Sequence, residues 1–232
     1  HDTELAVRRK DPDFRIANLD YDDPDTYAML AKGETEGIFQ LESTGMTQVL
    51  VGMRPKNLED IIALISLYRP GPMDSIPTYL RNRKDPSHVT YKTPQMAHIV
   101  DVTNGVVIYQ EQVMQICREL AGFSFGQADN VRRAMSKKKL KVMEAEREHF
   151  VHGCKEPGKE CAGCVANGVP ENIANEIYDD MISFASYAFN KSHAACYAYV
   201  AFQTAYLKCH YPHEFMAALL TSVLDTTSKV IE

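Results

Sequence analysis

The chain has 232 residues, of which 45% are hydrophobic and 24% charged, and its net charge is −6. That length allows one large domain or two small ones around a substantial core, and the balance is that of a globular protein rather than a disordered one. No apolar run approaches the ~18 residues of a membrane helix and no secretory pattern opens the chain, so the six cysteines read as reduced thiols of a cytoplasmic protein with no membrane partner.

The first residue is His1 rather than Met, which reads as an excised piece of a longer protein. Residues 1–25 are polar and interrupted by Pro12 and Pro24, the composition of a linker-like arm. Asp25 is placed to cap a short helix from Thr26 to Lys32. Asn57 precedes LEDIIALISLY, with Asp60 three residues on, close to a capping box. Ile61, Leu64, Ile65 and Tyr68 form the helical stripe, which must stop before Arg69-Pro70-Gly71-Pro72. Residues 74–104 read as a helix and then an irregular loop with three prolines.

Thr103-Asn104-Gly105 turns into VVIYQEQVMQICREL. Its VVIY part reads as a short strand, and the rest is helical, with Val113, Ile116, Cys117 and Leu120 on one face. Ser124 and Gln127 form an S-x-x-Q capping box for the helix that carries Arg132 and Arg133. Lys139 to Val151 continues as a charged helix. A Gly- and Cys-rich loop follows, residues 153–168. Pro170 suits the first turn of a helix with the stripe Ile173, Ile177, Met181 and Phe184. Two helices close the chain, from His193 to about His210 and from His213 to about Leu224. The expectation is a mainly α, multi-helical fold of some eight helices with at most a few short strands.

Charge is unevenly placed: Asp20 to Asp25 is acidic, whereas Val131 to Lys141 carries Arg132, Arg133, Lys137, Lys138, Lys139 and Lys141 without one acid. A basic face can bind phosphate even on an acidic protein, because salt screens distant charge beyond about 10 Å. Adjacent helical side chains point about 100° apart, so both arginines serve one ligand only where the helix lies along an anion. The alternative is a solvated face paired with Glu144 and Glu146. Tyr109-Gln110-Glu111-Gln112 reads either as a site at a helix start or as a satisfied polar cluster. Arg69 is a positioned cation or a helix-terminal charge. Asn190, Lys191, Ser192 and His193 crowd the start of an aromatic-rich helix, where free N–H groups attract anions, or else Ser192 is simply its cap.

His152, Cys154, Cys161 and Cys164 supply four soft ligands within thirteen residues, a set able to close a tetrahedral structural Zn²⁺ site. The two pairs lie closer than in usual zinc fingers, and free thiols in a loop are the other reading. Ser192 with His193 or Lys191 has no orienting third group for nucleophilic catalysis, and no Walker A or GxGxxG loop is present.

Five segments occur in order: FQLES (Phe39 to Ser43), LYRPGPM (Leu67 to Met73), YQEQVM (Tyr109 to Met114), RRAMSKKK (Arg132 to Lys139) and the block from Phe189 to Ser222. With them the chain resembles the fingers portion of the C-family replicative DNA polymerases of bacteria, the DNA polymerase III alpha subunits. The resemblance implies a helical fingers domain over residues 26–232 that includes the Cys-rich loop. It implies that Arg132 and Arg133 clamp the triphosphate of the incoming dNTP, that Lys191 assists, and that Asn190, Ser192 and His193 border its sugar and base. Lys137, Lys138 and Lys139 would face the DNA backbone, with Arg69, Tyr109, Gln110 and Glu111 supporting the pocket. The implied partners are dNTP and primer–template DNA, and for the parent protein the sliding clamp and other replisome subunits.

Family chemistry needs Mg²⁺ held by palm-domain aspartates. Asp20, Asp22 and Asp23 match no such motif, so this piece is expected not to polymerise alone and contains no catalytic residue. The rival readings are a helical module that grips nucleic-acid backbone without a nucleotide pocket, and a zinc-stabilised scaffold.

Overall fold

Several helix starts are fixed by side chains that accept from exposed backbone N–H groups in the computed structural model, which describes residues 1–137, 139–185 and 187–224. Helix α1 (Asp2–Val7) falls inside the segment expected to be a linker. Val7 is buried and α1 packs against the helix Pro212–Ser222, so apolar burial, not composition, decides this segment. Helix α2 (Pro24–Ala31) begins two residues earlier than expected. Asp23, not Asp25, accepts from Thr26 N at 2.7 Å, and Pro24 occupies the first turn, where its missing N–H costs nothing.

Helix α3 (Thr44–Met53), capped by Ser43, was not legible, because Gly45 and Gly52 each weaken helical propensity by about 1 kcal/mol. Helix α4 (Leu58–Leu67) ends ahead of the Pro-Gly-Pro turn as expected. Asn57 Oδ1 accepts from Asp60 N at 3.1 Å, and the Asp60 carboxylate accepts from Lys56 N at 2.8 Å. Helices α5 (Ile76–Lys84) and α6 (Ala97–Val100) follow, with short 3-10 turns between them.

Helix α7 (Gln110–Ala121) carries the strongest amphipathic stripe of the middle region. The Ser124–Gln127 capping box opens α8 (Phe125–Ser136): Ser124 N donates to Gln127 Oε1 at 2.8 Å and Gln127 N to Ser124 Oγ at 3.3 Å. Then come α9 (Leu140–His152), α10 (Glu171–Ala185), α11 (Lys191–His210) and α12 (Pro212–Ser222). Among the described residues twelve α-helices therefore stand where the periodicity suggested some eight. No sheet forms among the described residues. The VVIY segment is extended but makes only an isolated parallel bridge, Tyr109 with Phe189.

The chain divides into two compact units, Ser66–Ala194 and a second that joins His1–Ile65 to the segment from Ala195 onward. The core of the 66–194 unit includes Ile116, Cys117 and Leu120 of α7, Phe150 of α9, and Tyr178 and Met181 of α10. Phe150 meets Tyr178 at 5.3 Å between ring centres, and the Tyr178 hydroxyl donates to Met143 O at 2.8 Å. In the other unit α11 buries Ala198, Ala201, Phe202 and Ala205, the i, i+3, i+4, i+7 spacing of one helical face, and Phe202 packs on Tyr27.

One buried side chain holds the extended VVIY segment to the core. Gln112 Oε1 accepts from Ile108 N at 2.8 Å and Tyr109 N at 2.9 Å, while its Nε2 donates to Ile99 O and Thr103 Oγ1. Replacing it leaves buried N–H and C=O groups unpaired. Gln112→Leu is expected to destabilise the chain by about 2–4 kcal/mol, read as a lower midpoint in urea; an unchanged midpoint would refute this account of the segment.

Candidate functional site

Three of the segments singled out in the sequence meet in the 66–194 unit. The bridge between Tyr109 and Phe189 brings them together: Gln110 N donates to Phe189 O at 3.0 Å and Phe189 N to Ile108 O at 3.2 Å. The YQEQ segment and the segment leading into α11 thus run side by side. Gln110 then links both to α8. Its Nε2 donates to Ala188 O at 3.1 Å, and its Oε1 accepts from Arg132 Nη1 at 3.0 Å.

Arg132 and Arg133 point in different directions from their helix yet converge on one carboxylate. Asp129 Oδ1 accepts from Arg132 Nε at 2.9 Å and Nη2 at 2.7 Å, and Asp129 Oδ2 faces Arg133 Nε at 2.7 Å. The hydrogen bonds from Arg132, with the two positive charges, hold the Asp129 carboxyl below the usual carboxylate range. Arg132 is the more enclosed of the two, with 26% of its side chain exposed against 64% for Arg133. The partners suggested by composition, Glu144 and Glu146, are not those of this pair; Glu146 faces His149 at 3.5 Å.

Glu111 closes the other side. Its carboxylate accepts from Asn190 Nδ2 at 3.0 Å and from Lys191 N at 3.1 and 3.2 Å. Asn190 Oδ1 in turn accepts from His193 N at 2.9 Å. Asn190, not Ser192, therefore caps α11, and the protein's own carboxylate already lies on that helix N-terminus. Ser192 is exposed in the first turn. The Lys191 ammonium stands 5.3 Å from the Tyr109 ring centre, and the His193 ring lies edge-on to Phe189 at 5.4 Å.

Arg69 contacts the same strand-like segment. Its guanidinium donates to Ser66 O and, at 2.8 Å, to Tyr187 O, and it covers the Phe189 ring at 4.1 Å. Burial pulls its pKa down. It is a positioned cation within the fold rather than a simple helix-end charge.

Gln110, Glu111, Asp129, Arg132 and Asn190 line a cleft of about 480 Å³, together with Met114, Gln115, Arg118, Glu119 and Phe125. Sequence reading missed Asp129, Arg118 and Phe125. The i−3 and i−4 spacing of Asp129 from the two arginines was the available signal. Phe125 is 66% exposed at the start of α8, with the Arg118 guanidinium 5.9 Å from its ring centre. Lys137 and Lys139 are exposed between α8 and α9, and Lys138 lies outside the described residues.

The suggested zinc ligands do not converge. Cys154 and Cys161 face each other in a backbone bridge, with N–H···O distances of 3.0 and 2.9 Å. Cys164 is fully buried, where burial pushes its thiol up to about 12. His152 turns to Glu171. No group of three or more His, Cys, Asp or Glu among the described residues is placed to hold a metal ion. No helix among them is long and apolar enough to cross a membrane.

A family model described as the bacterial DNA polymerase III alpha subunit finger domain matches residues 2–158. The chain is 48% identical over 236 residues to the DNA polymerase III subunit alpha of Thermus aquaticus, a match covering 97% of this chain and 18% of that protein. It is 43% identical over 228 residues to the subunit of the same name from Bacillus subtilis (strain 168), covering 98% and 20%. The corresponding protein of Staphylococcus epidermidis is 45% identical over 214 residues, covering 92% and 19%. The chain thus spans about a fifth of the length of these curated relatives.

Proposed function

The chain belongs to the finger-domain family of the bacterial DNA polymerase III alpha subunit, and from that membership we propose that its cleft receives the triphosphate of the incoming dNTP during DNA-directed DNA synthesis. The observation that carries this reading is the convergence of Arg132 and Arg133 on one pair of carboxylate oxygens. Two guanidinium forks aimed at adjacent oxygens suit a phosphate, whose oxygens accept in the same bidentate manner. In this reading Arg132, anchored by Gln110, is the fixed clamp. Arg133 is the outer one, and Lys191 adds charge near the start of α11. Asn190, Ser192 and His193 border the sugar and base, and Arg69 positions them through Tyr187 and Phe189.

Lys137 and Lys139, exposed and without a nearby acid in sequence, are assigned to the DNA backbone. Mg²⁺ chemistry is assigned to the palm of the parent polymerase. The cleft carboxylates Glu111, Glu119 and Asp129 are turned to N–H donors, His98 and arginines, a donor set that does not fit the ion, so no step is drawn through it. Asp23 caps α2 and faces His210 at 3.0 Å, a structural use. In the parent protein the replisome partners, including the sliding clamp, would bind other parts of the chain.

The exposed lysines favour one second reading, a module that only grips nucleic-acid backbone. Fluorescence anisotropy of labelled primer–template across a salt series, in the full-length polymerase, separates the two. Backbone contacts show as a slope of about −0.9 per neutralised phosphate. The Arg132→Ala/Arg133→Ala variant is expected to keep the wild-type slope and lose dNTP affinity in the ternary complex. A slope reduced by about two units, with dNTP affinity intact, would support the backbone reading and overturn the nucleotide cleft.

A further inference from the structure

We propose that Asp129 is a built-in electrostatic brake on the nucleotide site, a competing anion that keeps Arg132 and Arg133 aimed at one point while limiting how tightly phosphate is held there. This rests on the phosphate role proposed for the two arginines. Both oxygens of Asp129 are used: one takes two N–H groups of Arg132, the other faces Arg133 Nε at 2.7 Å. Its side chain is 20% exposed and lines the cleft, so the pair it forms is partly shielded from water. A carboxylate in van der Waals reach of two guanidinium groups cancels one of their two charges.

An arriving triphosphate must therefore share or displace Asp129, and the carboxylate is at hand to recapture the arginines when pyrophosphate departs. A site that turns over repeatedly gains nothing from a product that stays bound. Asp129 sits at i−3 and i−4 on the same helix as its partners, so the competing anion is always present and never diffuses away.

The test uses the full-length polymerase with Asp129→Asn and, separately, Asp129→Ser; both remove the charge, and thermal unfolding shows which variants remain folded. The KM for dNTP and the inhibition constant of inorganic pyrophosphate are expected to fall together, each by roughly three- to tenfold. In an Arg132→Ala/Arg133→Ala background the same substitutions should change neither constant, since the brake acts only through those side chains. Unchanged or raised constants in a folded Asp129 variant, with wild-type arginines whose own removal weakens dNTP binding, would overturn the brake. If the arginine variants themselves show wild-type KM, the phosphate reading falls instead, and the two failures are told apart.

Discussion

Arg132→Ala in the full-length polymerase is expected to lower kcat/KM for dNTP incorporation by about 10- to 150-fold, the equivalent of the roughly 1.5–3 kcal/mol that a charged phosphate contact is worth. Arg133→Ala should cost less. The reason is enclosure: Arg132 is held by Gln110 on one edge and by Asp129 on the other, with a quarter of its side chain exposed, whereas Arg133 is mostly in solvent. A fixed fork loses little entropy on meeting phosphate, and its contact is weakened less by water and salt. Arg132→Lys should recover only part of the loss, because an ammonium cannot keep both the Gln110 contact and a bidentate grip. Gln110→Ala should resemble a mild form of Arg132→Ala, since it frees one edge of the fork. Steady-state primer extension at varied dNTP reads all four. Equal wild-type values for Arg132→Ala and Arg133→Ala would remove the clamp.

That hierarchy between neighbouring arginines was not legible in the sequence, although the pair itself was. Composition marked the basic run, and the motif resemblance tied it to phosphate. Which of the two is anchored depends on Gln110, which lies 22 residues away along the chain. The same holds for Glu111: the sequence marks it as polar at a helix start, but its grip on Asn190 and on the N–H of Lys191 spans about 80 residues.

Local signals fared differently. The Ser124–Gln127 box, the Asn57 cap and the Pro-Gly-Pro stop all operate within four residues, and the structure shows each as expected. Two local readings went astray where a nearby competitor prevailed. Asp23 outbid Asp25 because proline favours the first helical position. Asn190 replaced Ser192 as the cap of the long helix. The four suggested zinc ligands are not gathered among the described residues for a nonlocal reason, since ligand count and spacing say nothing of which thiol is drawn into the core, as Cys164 is.

What holds the Cys-rich loop instead is close backbone packing, and Gly163→Ala is expected to show it. Gly163 has φ +80°, and a Cβ there would lie 2.3 Å from Gly153 N and 2.5 Å from His152 C. Gly153, at φ +86°, is reciprocally tight: its Cβ would lie 2.4 Å from Ala162 O. The left-handed conformation alone costs an alanine about 1–2 kcal/mol. The clash is with backbone, which cannot rotate aside as a side chain would. Relief requires the loop to part from α7 and α9, breaking the bonds from Gly163 N to Ala121 O at 2.9 Å and from Cys164 N to Phe150 O at 2.8 Å, and so exposing the buried thiol of Cys164. The expected loss is on the order of 3–5 kcal/mol, as large as deleting a core phenylalanine, and it should appear as a lowered urea midpoint. Gly158→Ala is the control. It shares the left-handed backbone at φ +83°, but its Cβ meets nothing within 4 Å, so only the conformational part of about 1–2 kcal/mol should be lost. Chelator added to the wild type should leave its midpoint where it was, because the loop is closed by main chain and not by metal. Equal losses at Gly163 and Gly158, or a midpoint that drops with chelator, would mean that the backbone contacts are not what secures this loop.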